Sequence, residues 1–252
     1  CLSKDAKLII AVDNGITAVE QTKYCRDCGC DLIIIDHHEP GKKLPQPSVL
    51  LHSTSACAAG LIWMFCRDYL GKPNLEHLCL ASIATICDIV PLLGTNRSLA
   101  KFGLEQLNTT QRPGLLSLFD GARIRPGSIG AYEVGFMLGP RLNAMGRLEH
   151  AIDSLRLLCT KDLARARQLA QLLSATNLKR QSATDMSVSH ALAKFTPADL
   201  PPILLSAHTS YHPGIIGLIA AKLVEIYHRP GLAISISETI SRGSGRSIPG
   251  FH

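Results

Sequence analysis

The chain has 252 residues, 46% of them hydrophobic and 18% charged, a composition that supports one large core or two modest ones and excludes a disordered polymer. No apolar run reaches the roughly 18–20 residues of a membrane helix, and the opening CLSKDAKLII lacks the layout of a signal peptide. With Cys rather than Met at position 1, the sequence reads as an internal piece of a longer cytoplasmic protein with no membrane contact.

The net charge of +6 is unevenly placed. Residues 1–140 hold thirteen Lys and Arg against thirteen Asp and Glu, and residues 141–252 hold thirteen against seven, so the whole excess lies in the second part. A polyanionic partner for that part is one reading and a solvated basic surface the other. The nine cysteines are an odd number without a framework spacing, which predicts reduced thiols. CRDCGC (Cys25, Cys28, Cys30) has no second Cys or His pair at a matching spacing to complete a structural zinc site.

In chain order, KLIIAVDNG and DLIIIDHHEP are short apolar runs closed by an acid, the pattern of strands buried on both faces of a parallel sheet. Residues 17–29 between them are long enough for a crossover helix, which gives a βαβ unit. After a Pro/Gly/Lys loop at 40–47, SACAAGLIWMFCRDYLG and LEHLCLASIATICDIVPLLG predict buried helices, the second ending near Pro91 with Asp88 in its last turn. Short helices follow over 97–107 and 131–138. GPRLNAMGR, residues 139–147, is predicted as a turn region.

Residues 161–195 contain neither Gly nor Pro and predict a helix of about 30 residues, roughly 45 Å long, suited to connecting domains. TPADLPP marks a boundary, after which PILLSAH, a helix over 213–228 and GLAISIS predict a strand–helix–strand unit. The division expected is 1–158, a connecting helix over 159–195, and a smaller second domain over 196–252.

In an open parallel sheet, ligands sit beyond the carboxyl ends of the strands. Asp13 and Asp36 close neighbouring strands there, and Asp36 opens the run Asp36-His37-His38. With Asp88 they form a carboxylate and imidazole set of the kind that holds Mn²⁺ or Mg²⁺, the imidazoles favouring the transition metal. Adjacent histidines in an extended segment point opposite ways, so one is expected to ligate metal and the other to face a substrate phosphate. Any one of these residues is also explained as a cap, a turn former or a surface group; their gathering at a ligand edge is what marks a site.

VDNG, DHHEP and ASIATICDIVPL resemble three successive motifs of the DHH phosphoesterase superfamily. GPRLNAMGRL, YHPGIIGLIAAKL and GSGRSIPGFH are similar to segments of its single-strand-specific exonuclease branch. The resemblance implies an α/β fold: a parallel-sheet DHH domain joined by a long helix to a smaller α/β domain of the DHHA1 type, truncated at both ends. It places metal on Asp13, His37 and Asp88, catalysis on Asp36, His37 and His38, with Asp36 orienting the histidines and His38 meeting the scissile phosphate.

It also implies two Mn²⁺ or Mg²⁺ ions, the second held by an Asp-x-Asp motif that would precede residue 1, and a Gly-Gly-His segment beyond the end. Arg141, Asn143 and Arg147, with His212, Arg246 and Ser247, are expected to grip the substrate, and Gly243 and Gly245 to let the main chain approach it. The activity implied is 5′ to 3′ hydrolysis of single-stranded DNA to 5′-mononucleotides in repair and recombination, with a helicase or single-strand-binding protein as partners. The alternatives are a phosphodiesterase acting on oligoribonucleotides or cyclic dinucleotides, and a non-catalytic nucleic-acid-binding scaffold.

Overall fold

The computed structural model describes residues 5–251 and is mixed α/β. The chain forms two compact units: residues up to Gln111 together with Arg123–Gly139, and Arg112–Ala122 together with residues from Pro140 onward.

The first unit is organised by a three-stranded parallel sheet, β1 (Leu8–Val12), β2 (Asp31–Asp36) and β3 (Val49–His52), in the order β1-β2-β3. Its central strand is the most apolar, with Ile34 and Ile35 fully buried, as a strand covered on both faces must be. Register pairs Val12 with Ile35 and Asp36 with His52, so the strands end level. β3 lies within the stretch between DHHEP and the next helix, where sequence reading placed only a loop; four residues beginning at an exposed Val49 carry too little pattern to announce a strand.

The helices of this unit are α1 (Val19–Asp27), α2 (Ala58–Leu70), α3 (Leu75–Cys87) and α4 (Gly94–Asn108). Gly71 closes α2 in the left-handed region, and the Asn74 side chain caps α3 by accepting the His77 N–H, both standard end signals. The α3–α4 crossing is tight because Gly103 has no side chain: a methyl there would overlap the Ser82 Cβ and stand 2.7 Å from the Leu78 carbonyl oxygen. Residues Glu133–Leu138, expected as an ordinary helix, form a π-helical turn. It packs on the end of α3, where Gly139 accommodates the Cys87 sulfur.

Residues 139–147 are helical: α6 spans Gly139–Leu148, all but its first residue in the second unit. The expectation of a turn fails because Pro140 sits in the first helical turn, where its missing N–H costs nothing. The long helix α8 (Leu163–Leu192) is 30 residues, capped by the Asp162 side chain. Its first half buries Ala166, Leu169, Ala170 and Leu173, a 3.6-residue stripe, against α5 (Pro113–Ala122) and α7 (Ile152–Cys159). Gly114 of α5 lies flush on the Leu157 carbonyl.

The far end of α8 joins a different core, where Ala191 packs with Leu204, Tyr211, Ile215, Ile219 and Ala233. That core is the interior of a second sheet, β4 (Leu204–His208), β5 (Gly231–Ser235) and β6 (Arg242–Arg246), crossed by α9 (Ile216–Tyr227). β4 and β5 are parallel, and β6 runs antiparallel to β5. The predicted strand–helix–strand therefore gains a third strand, Arg-Gly-Ser-Gly-Arg, whose glycines and charges conceal it from propensity.

Gly103→Ala is expected to force α3 and α4 apart and lower stability by about 1–3 kcal/mol, measurable as a shifted urea midpoint at unchanged slope.

Candidate metal and phosphate sites

At the end of β1 the chain turns sharply. Asp13 adopts φ 64° while its N–H still donates to the Ile35 carbonyl at 2.9 Å. Asn14 Nδ2 donates back to Val12 O at 2.9 Å, and Gly15 takes φ 114°, a conformation that disfavours a side chain, where a Cβ would also stand a tight 3.2 Å from the Ile34 side chain. The turn delivers the Ile16 N–H to Asp36 Oδ2 at 2.9 Å.

Asp36 is 1% exposed and accepts on both oxygens. Oδ1 takes the His37 N–H at 2.8 Å, the His38 N–H at 3.3 Å and the His38 ring Nδ1–H at 2.7 Å. Burial opposes the negative charge, but the Ile16 N–H, the His38 ring and the two following backbone N–H groups together outweigh it and hold the carboxyl at about 2. That bond to Asp36 in turn raises the His38 pKa against the opposing effect of burial, and the charges of Asp36, Asp13 and Asp88 add to it. The His52 Nε2–H donates to the His38 carbonyl at 2.8 Å and ties the end of β3 to this segment.

His37 projects between two carboxylates. Its Nε2 lies 3.2 Å from Asp13 Oδ1 and 3.3 Å from Asp88 Oδ2. Asp88 comes from the C-cap of α3, a helix the sequence predicted to run on toward Pro91, and the next residue, Ile89, takes φ 58°. A β-branched residue in the left-handed region is strained. Cys87, just before, is pushed up to about 11 by burial, with the Asp88 charge adding to it.

The histidines do not diverge as strand alternation predicts. β2 ends at Asp36, so the rings of His37 and His38 lie 4.6 Å apart, and the ligand atoms of Asp13, His37 and His38 all fall within 4.8 Å of one another. One ring nitrogen carries at most one proton, so it cannot satisfy two carboxylates; a cation can. Oxygen and imidazole donors together suit Mn²⁺ and, with fewer nitrogens, Mg²⁺.

The second unit gathers cations instead. A cleft of about 500 Å³ is lined by Arg147, Pro213, Gly214, Ile216, Gly217, Arg242, Gly243, Ser244 and Arg246. Arg147 at the end of α6 donates Nη1–H to the Gly214 carbonyl at 3.2 Å, and Gly214 abuts the Arg147 carbonyl so closely that any Cβ would overlap it. His212 Nδ1 accepts the Gly214 N–H at 3.0 Å. α9 starts at this cleft with no side-chain cap, adding the positive end of its dipole.

Of the residues expected to grip substrate, Arg147 and Arg246 line this cleft and His212 shapes the loop beside it. Arg141 is half-buried and Asn143 exposed on α6, and neither reaches the cleft. The Ser247 hydroxyl donates to Phe251 O at 2.7 Å, and Ser244 takes the place in the cleft expected for it. Arg242 and Ser244 escaped sequence reading, yet their i, i+2, i+4 spacing with Arg246 is the signature of one strand face.

Residues 1–87 match the DHH family, N-terminal domain. Over nearly its full length the chain is similar to single-stranded-DNA-specific exonuclease RecJ. It is 37% identical to the Bacillus subtilis protein over 97% of this chain and 33% of that one, and 32% identical to the Escherichia coli protein over 99% and 49%. The crystal structure of RecJ in complex with Mn²⁺ from Thermus thermophilus superposes with a TM-score of 0.88 at 30% identity, covering 98% of this chain and 38% of that one. The chain thus spans about a third to a half of the curated relatives it matches.

Asp36→Asn keeps the shape but places a donor among donors. It is expected to cost about 2–4 kcal/mol, read by chemical denaturation, and to release the His38 ring, read as a changed imidazole NMR titration.

Proposed function

We propose that this chain is the nuclease portion of a metal-dependent exonuclease that degrades single-stranded DNA from the 5′ end to 5′-mononucleotides. The observation that carries this reading is the convergence of Asp13 and Asp88 on one ring nitrogen of His37. Likeness to proteins named single-stranded-DNA-specific exonuclease RecJ supports the substrate, and the polarity follows from the resemblance of the motifs.

In this reading Asp13, His37 and Asp88 hold Mn²⁺ or Mg²⁺, which when bound supplies a water of lowered pKa and charge stabilisation at phosphorus. Asp36 does not touch substrate. It fixes the His38 ring through Nδ1, leaving Nε2 to meet a phosphate oxygen, and through Ile16 it locks the turn that carries Asp13. The Arg147, Arg242 and Arg246 guanidiniums and the start of α9 bind backbone phosphates without reading bases. The compartment proposed is the cytoplasm; among the described residues no helix is long and apolar enough to cross a membrane.

The test uses the full-length protein with Mn²⁺ and labelled oligonucleotides. Mononucleotides are expected from the 5′ end of single strands, with duplexes spared. Asp88→Ala is expected to abolish calorimetric Mn²⁺ binding at this site and lower the rate by at least about 100-fold. Full activity in that variant, or turnover of short RNA alone, would overturn the reading.

A further inference from the structure

The carboxyl ends of the parallel strands β4 and β5 form a second ligand edge, and it carries a cluster that neither the motifs nor the arginine cleft account for. His208 is the last residue of β4 and stands level with Ser235. His190, in the last turn of α8, lies beside it with ring centroids 4.5 Å apart. Tyr211, 1% exposed, meets both rings, its centroid 5.5 Å from that of His190 and 5.8 Å from that of His208. Lys194, just beyond α8, donates Nζ–H to the Ala207 carbonyl at 2.9 Å, and its ammonium lies 6.0 Å from the Tyr211 ring centroid.

The protein holds each imidazole by Nδ1 and leaves Nε2 to solvent. His208 Nδ1 accepts the Ser210 N–H at 3.1 Å and lies 2.7 Å from the Ser210 hydroxyl, so the ring proton sits on Nε2. His190 Nδ1 is 2.8 Å from the Tyr211 hydroxyl, which is 2.8 Å from the buried Ser206 hydroxyl. Run from Ser206 to His190, this chain of hydroxyls leaves the neutral ring its proton on Nε2. Run the other way, it accepts the Nδ1 proton of the charged ring, and Nε2 is a donor again. His190 and Lys194 are exposed and His208 half-buried. Two imidazoles this close keep their Nε2 atoms within the span of one tetrahedral anion whatever the tilt between them.

Among the described residues no carboxylate forms an ion pair with His190, Lys194 or His208. Partial desolvation first, and then the Lys194 and His208 charges, lower the pKa of His190, as like charges gathered without an acid must. The described residues add no third His, Cys or carboxylate to the pair, and two nitrogens beside an ammonium do not make a metal site. Three donors without an acid suit a phosphate.

We propose that His190, His208 and Lys194 bind one backbone phosphate of the single strand, at a contact separate from the arginine cleft. The inference rests on the nucleic-acid reading given above. The loop after β4 carries Ser210 and Tyr211 into this cluster and Pro213 and Gly214 into the cleft, so one connection presents two phosphate contacts.

The full-length protein and its His190→Gln, His208→Ala and Lys194→Met variants are titrated without metal with a 5′-labelled poly(dT) oligonucleotide. Salt concentration is varied, at about pH 6 and about pH 8, either side of the ordinary imidazole range. Wild-type affinity is expected to rise as pH falls, because a phosphate favours the charged His190. His190→Gln keeps a donor but cannot take up a proton, and is expected to lose most of that rise. Lys194→Met is expected to bind several-fold more weakly, with a slope of log K against log salt shallower by about 0.7. His208→Ala is expected to bind several-fold more weakly at both pH values. Inorganic phosphate and poly(dT) are each expected to shift the imidazole NMR signals that these two histidine variants remove.

A purely structural role would lower melting temperatures only. An unchanged pH response in His190→Gln, or an unchanged slope in Lys194→Met, overturns the proposal, and these two exposed positions decide it should His208→Ala fail to fold. Signals that move with inorganic phosphate and not with poly(dT) mean an adventitious ion only and overturn the strand contact. Saturable Zn²⁺ binding lost in either histidine variant assigns the pair to a metal and overturns it equally. Failure of the wild-type protein to bind poly(dT) overturns the nucleic-acid reading, and this inference with it; wild-type binding with indifferent variants overturns this inference alone.

Discussion

A single buried carboxylate sets the geometry of the first unit. Asp36 can stay ionised at 1% exposure only because four N–H groups point at it, and those four come from three different places: the turn after β1, the backbone beyond β2 and the ring of His38. Remove the carboxylate and each donor loses its acceptor. The turn that presents Asp13 and the segment that presents His37 are therefore fastened to the same two oxygens, and their mutual placement is a consequence of satisfying one buried group.

Around that fixed point the backbone is held in conformations it would not choose. Asp13 and Ile89 both occupy the left-handed region, one in a candidate ligand and one next to another. Such residues persist only where the surroundings over-determine them. Pairing of Asp13 N–H with Ile35 O does so on one side, and packing of the π-helical turn against Cys87 does so on the other. The two carboxylates that repel each other are thus brought near one imidazole by a framework that does not depend on their attraction. The second unit does the opposite with charge, collecting the Arg147, Arg242 and Arg246 guanidiniums in one cleft where, among the described residues, no acid forms an ion pair with them.

Much of this was legible beforehand because the chemistry falls where periodicity changes. Apolar strands that end in acids announce both a parallel sheet and its ligand edge, so Asp13, Asp36, His37 and Asp88 could be named from pattern alone, although β1, expected to be buried on both faces like β2, is an edge strand with Leu8, Ile10 and Val12 exposed. The direction of His38 could not, since alternation stops with the strand and the ring is set by a bond to Asp36. The helix at Gly139–Leu148 was hidden by Gly and Pro, residues that forbid a helix interior but not its first turn. β6 was hidden by its glycines, which carry no strand propensity.

That same strand holds its arginines by arithmetic rather than by affinity. Arg242, Ser244 and Arg246 share a face with Ser235, Ala233 and Gly231, toward α9, while Gly243 and Gly245 lie over Ile234 and Leu232. Sliding β6 by one position would invert the two faces, turning the guanidiniums away from the start of α9 and leaving bare glycine there. A single inserted or deleted residue between Ser235 and Arg242 that the loop failed to absorb would therefore erase the cation cleft while sparing every residue that forms it, a vulnerability to length rather than to substitution.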